Sequence, residues 1–150
     1  MGEGRLAITR LDRTLVATIE GSVDEGALRA MVDTLSEAQT GQQADSVVFE
    51  ASDCEVMDLD EFAALQRAVR MIEWLGMRGI VAGLRPGIVA YVVSSGVELG
   101  TMRSALDLEL ALEALSKDRD EREPEPDQEA RSDSEADSAI EFEPKGPGAV

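Results

Sequence analysis

A run from Val47 to Leu84 restricts the possible folds more than any other stretch of the chain. It opens with Val47-Val48-Phe49, a short apolar run bounded by Asp45 and Glu50, which predicts a buried strand. A polar loop follows, Ala51-Ser52-Asp53-Cys54-Glu55, and then a helical pattern begins. Asp58 suits the N-cap, because its carboxylate can accept an unpaired N–H of the first turn. Glu61 stands three residues on, where it can reach back to the Asp58 N–H in a capping box. Asp60 and Glu61 also put negative charge at the positive end of the helix dipole. Phe62, Leu65, Val69 and Ile72 recur at helical spacing, with Arg67, Arg70 and Glu73 on the opposite side, and Gly76 supplies a stop. A second apolar strand follows from Gly79 to Leu84. Strand, helix, strand with so long a connection is a βαβ unit with parallel strands. In such a sheet, function gathers where a strand's carboxyl end feeds a helix N-terminus, here residues 52–58.

The rest of the chain extends this unit. Leu6–Leu11 and Leu15–Ile19 are strands joined at Asp12-Arg13, an opening hairpin. Asp24 caps a helix whose inner face is Leu28, Met31, Val32 and Leu35 and which ends near Gly41. Pro86 fits the first turn of another helix, with Ile88, Val89, Val92 and Val93 as its apolar stripe and Gly96 at its end. A short strand is expected within Val97–Met102. A last helix begins around Asp107, with Leu108, Ala111, Leu112 and Leu115 facing inward. The expected fold class is therefore α/β: a small, mostly parallel, mixed sheet of four or five strands with about four helices.

From Asp118 the composition changes. Residues 118–150 hold 12 acidic and 4 basic residues and four of the five prolines, and Ile140 and Phe142 are their large apolar residues apart from Val150. Such a segment buries too little apolar surface to offset ordering entropy, so the reading is a domain over 1–117 and a disordered acidic tail over 118–150. Ser132, Ser134 and Ser138 lie among its acids as kinase targets or as ordinary tail composition.

Charge and residue types exclude several functions. With 31 acidic and 14 basic residues the net charge is −17, which disfavours nucleic acid and anionic membrane as partners. No run approaches the ~20 apolar residues of a membrane span. The start of the chain lacks the pattern of a secretion signal, and the single Cys54 fits a reducing compartment, so a cytoplasmic protein is expected. Absence of histidine removes Ser-His-Asp and Cys-His sites and most zinc sites.

With those elements in order, the chain resembles the STAS domain of anti-anti-sigma factors. The resemblance rests on the strand, the acidic loop and the Met57-Asp58 step at a helix start. It is nearest to the stressosome branch: Gly83-Leu84-Arg85-Pro86-Gly87-Ile88-Val89 and Ser95-Gly96-Val97-Glu98-Leu99 are similar to that branch's G-I-R-P-x-I-A and L-G-I-x-L segments. Ala105 to Glu113 resembles the closing helix of its small S-type scaffold subunit. The likeness covers about residues 5–116. It implies a non-enzymatic regulator without cofactor or metal. Its partners would be STAS paralogues, in homo- and hetero-oligomers, and a serine/threonine switch kinase or anti-sigma factor. The docking face would be Asp53, Glu55, Asp58, Leu59, Asp60 and Glu61.

In that family a kinase phosphorylates the Ser or Thr after the loop Asp. That Asp falls on Asp58, so the acceptor position is Leu59, which has no hydroxyl. A second switch position falls on Asp24, and the next residue is Glu25. Two readings stay open: a locked subunit, in which Glu25 and Asp60 give permanent negative charge where phosphates would lie, or ordinary first-turn acids with Leu59 simply packing.

Other readings are kept beside these. The carboxylate cluster is a metal or acid–base site, or a capped helix and solvated loop. Cys54 is a redox thiol, or a small residue packed among acids that dull it. Residues 83–87 are a phosphate loop, or a tight turn. Met71 and Trp74 anchor a partner, or join the core. For the whole chain the alternatives are an accessory STAS subunit of a membrane transport ATPase and a small nucleotide-binding enzyme.

Overall fold

The computed structural model describes residues 5–22 and 24–122. Strands β1 (Arg5–Leu11) and β2 (Thr14–Glu20) form the expected hairpin, antiparallel from Arg5 opposite Glu20 to Leu11 opposite Thr14. Asp12 makes the tight turn with φ 56°, a conformation an Asx side chain tolerates. Helix α1 (Glu25–Gln42) leads to β3 (Ser46–Asp53), then α2 (Leu59–Trp74), β4 (Arg78–Ala82), α3 (Pro86–Ser94), β5 (Ser104–Ala105) and α4 (Leu108–Arg122). The sheet runs β1-β2-β3-β4-β5, with β2 to β5 parallel.

Alternation along the strands divides the core. Val47 and Phe49 point to one face, where they meet Leu28, Met31, Val32 and Leu35 of α1, Phe62, Leu65, Val69 and Ile72 of α2, and Ile88 and Val92 of α3. Val48 points to the other face, with Ile80 and Ala82, against Ala111 and Leu115 of α4. Burying each large aliphatic or aromatic side chain of α2 contributes roughly 1.5–3 kcal/mol, which makes this helix the main clamp on the sheet.

Several expectations are corrected. The third strand runs through Ala51 and Ser52 to Asp53, where a polar loop was expected, because Asp53 still pairs with Glu20 past an irregularity. No strand lies within Val97–Met102. That segment closes on itself, with Val97 N–H donating to Val92 O and Met102 N–H to Leu99 O, while Val97 and Met102 pack on the core. The fifth strand comes later, at Ser104-Ala105. Only Ile88 and Val92 of the expected α3 stripe are buried. Val93 is 53% exposed, because residues four apart share a helix face and Val93 lies one position off it. Trp74, placed between core and surface by sequence, is 85% exposed, being two positions round the helix from buried Ile72. α4 continues to Arg122, past the boundary expected at Asp118. The proposed tail beyond Arg122, with Ser132, Ser134 and Ser138, lies outside the described residues, as does Val23.

Candidate functional site

Because β2 and β3 are parallel neighbours, their carboxyl ends deliver the chain to α1 and α2 at the same edge of the sheet. The two helix starts flagged in the sequence therefore stand side by side. Asp58 caps α2 by accepting from Glu61 N–H at 2.7 Å, and Glu61 accepts from Asp58 N–H at 2.9 Å, completing the capping box. Asp24 caps α1 in the same way, accepting from Ala27 N–H at 2.7 Å.

Two contacts join these starts across the chain. Ser22 Oγ donates to Glu61 at 2.7 Å, and Arg67 pairs with Glu25 at 3.2 Å. Arg29 approaches Glu25 at 3.7 Å. Glu25 is thus ion-paired, whereas Asp60 stands exposed in the first turn of α2. Sequence reasoning missed Ser22 and Arg67. The readable signal was that successive βα loops on adjacent parallel strands end at one edge.

Beneath the loop, Cys54 is buried at 1% exposure, its Sγ 3.7 Å from Ile19 O. Burial, reinforced by the carboxylates of Glu61, Asp53 and Glu50, pushes its thiol up to about 11, against an opposing pull from Arg85. Such a thiol is neutral and unreactive at neutral pH, which favours the packed residue over the redox sensor. Leu59 is half-buried and packs against the main core. Asp53, Glu55, Asp58 and Asp60 are exposed, so the loop carries an open acidic rim. Among the described residues no three Asp, Glu or Cys side chains converge as a metal site requires.

The rim borders a groove of about 260 Å³ between the loop and α3, lined by Glu55, Val56, Met57, Asp58, Gly87, Ile88 and Tyr91. Val56 is 78% exposed and Tyr91 49%, so apolar surface is offered to solvent directly beside the carboxylates. The Gly83–Gly87 segment forms the groove's far support as a tight turn. Gly83 has φ 82°, and a Cβ there would run into Ser52 Oγ. Ser52 Oγ in turn donates to the Glu50 carboxylate, and Arg85 Nε donates to Ser52 O at 3.1 Å. These contacts hold residues 83–87 as a tight turn against the end of β3.

No protein-family model matches the chain, and no curated protein sequence does. Solved structures do. An RsbS variant from Moorella thermoacetica, with a serine replaced by glutamate, is 26% identical with a TM-score of 0.62 over 75% of this chain and 96% of its own. A chain of the stressosome, described as a signal integration and transduction hub, is 23% identical with a TM-score of 0.60 over 76% and 99%. The anti-sigma factor antagonist SpoIIAA in its unphosphorylated form is 18% identical with a TM-score of 0.57 over 75% and 97%. The fold is the STAS fold. Its neighbours are anti-sigma factor antagonists and stressosome components. With this fold, the expected mixed sheet and opening hairpin are present, and the described residues hold four helices.

Proposed function

We propose that the chain is a non-enzymatic regulatory scaffold of a partner-switching, stressosome-type pathway. It associates with copies of itself and with STAS paralogues, and it engages a serine/threonine switch kinase or an anti-sigma factor through the face around Asp58. The observation that carries this reading is the pairing of an exposed acidic rim, Asp53, Glu55, Asp58 and Asp60, with the open groove at Val56 and Tyr91. An exposed aromatic and aliphatic pair beside charge is the composition of a docking surface: the apolar groups supply affinity, and the charges select a basic partner and set register. A net charge of −17 extends that selection over the whole surface.

Leu59 takes the position where the resemblance implies a phosphoacceptor. Its packing against the core supports a structural role for the leucine itself. A locked switch would draw its constant charge from Asp60 more than from Glu25, which Arg67 and Arg29 already neutralise in part. The test is to make Leu59→Ser and incubate it and the wild type with an anti-sigma-type serine kinase. The variant should take up phosphate within residues 52–62 and the wild type should not. Equal labelling of both within that window would contradict the reading.

A further inference from the structure

The chain leaves β2 through a hydroxyl that stands at the docking face. Ser22 lies between β2 and the Asp24 cap of α1, on backbone that belongs to no helix or strand, and its side chain is exposed. Gly21 before it has φ 75°, a bend that glycine adopts without strain. Ser22 Oγ donates to Glu61 at 2.7 Å, so its proton is held toward α2 and its lone pairs are left for an incoming group. The segments that form this edge, residues 20–25 and 51–62, contain one other hydroxyl, Ser52. Ser52 is half-buried at the end of β3 and donates to Glu50. An exposed hydroxyl on irregular backbone is what a kinase active site can admit. Charge narrows the enzyme. Residues 14–28 contain Glu20, Asp24 and Glu25 and no arginine or lysine. A kinase that takes this segment presents a basic substrate groove, the same chemistry that the acidic rim selects.

We propose that Ser22 is a phosphoacceptor for the switch kinase, in place of the hydroxyl that Leu59 lacks. The inference rests on the proposed function and adds a site of regulation to it. The γ-phosphoryl group of ATP passes to Ser22 Oγ. The new Oγ–P bond forms as the bond from that phosphorus to the β,γ-bridging oxygen breaks, ADP leaves, and the hydroxyl proton goes to a base of the kinase. The ester oxygen then has no proton to give Glu61, and the phosphate brings about −1.5 to −2 charge beside that carboxylate. The tie between the β2 loop and α2 is exchanged for repulsion, at the residue that completes the α2 capping box by accepting from Asp58 N–H. The change reaches the acidic rim directly, because Asp58 belongs to both the capping box and the groove.

The test uses the full chain, Ser22→Ala and Ser22→Thr. Each is incubated with an anti-sigma-type serine/threonine kinase and radiolabelled ATP, and the labelled residue is located by peptide mass spectrometry. Wild type and Ser22→Thr should take up phosphate at position 22. Ser22→Ala, which keeps the backbone and loses only the hydroxyl, should take up at least about tenfold less. Labelling of Ser22→Ala as fast as wild type, label on wild type confined to any other residue, or no label on wild type overturns the proposal. Calorimetric titration of the same kinase into the wild type keeps the two readings apart. A kinase that binds the chain and leaves Ser22 unlabelled retires Ser22 as the acceptor and leaves the proposed function standing. A kinase that neither binds nor labels the chain overturns both.

Discussion

Gly83 shows how one residue holds the end of the sheet in shape. Its left-handed backbone and the Ser52 hydroxyl packed over it both exclude a side chain. Gly83→Ala should therefore lose about 2–3 kcal/mol in urea unfolding, from the strained φ plus the displaced Ser52–Glu50 contact. Cys54 gives a pH signature. Its thiol, at about 11 in the folded chain against an ordinary 9.0, keeps a proton that the unfolded chain loses. Its contribution is fully present below pH 9 and is lost as pH rises toward 11, by roughly 2–3 kcal/mol at the limit. Alkaline unfolding of the wild type should show this fall, and Cys54→Ala should remove it. The burial of Cys54 was only half legible in the sequence, since its acidic neighbours are adjacent in the chain but the Ile19 carbonyl it meets is 35 residues away.

Capping is local chemistry, which is why the start of α2 could be read directly from Asp58 and Glu61. Asp58→Ala should cost about 1 kcal/mol, measured by thermal or urea unfolding, and leave the α2 core residues in place. The same substitution removes one carboxylate from the groove's rim, so it should weaken partner binding more than its small effect on stability explains. Elements with strong periodicity, such as α1 and α2, were legible because many residues vote for one face. β5 was not, because two residues carry no period and its place is set by Arg103 O accepting from Val81 N–H in β4. α3 misled for a related reason: a helix apolar nearly all round does not announce which side is buried, and the sheet chose Ile88 and Val92.

For the whole molecule, topology turns separate loops into one face. Adjacent parallel strands bring Asp24, Glu25, Asp58 and Glu61 to a common edge, and Ser22 and Arg67 tie them together. The acidic residues of that face were legible in the sequence. The groove was not, because Val56 and Tyr91 are 35 positions apart and only the crossing of α3 beside the loop makes them neighbours. The proposed function requires this face to dock a partner and to perform no reaction. Calorimetric titration of the full chain, and of Val56→Arg, into an anti-sigma-type serine kinase tests it. Val56 is exposed, so the variant should melt like the wild type. Wild type should bind, and Val56→Arg should bind at least tenfold more weakly. Equal affinities, or no binding by either chain, would contradict it.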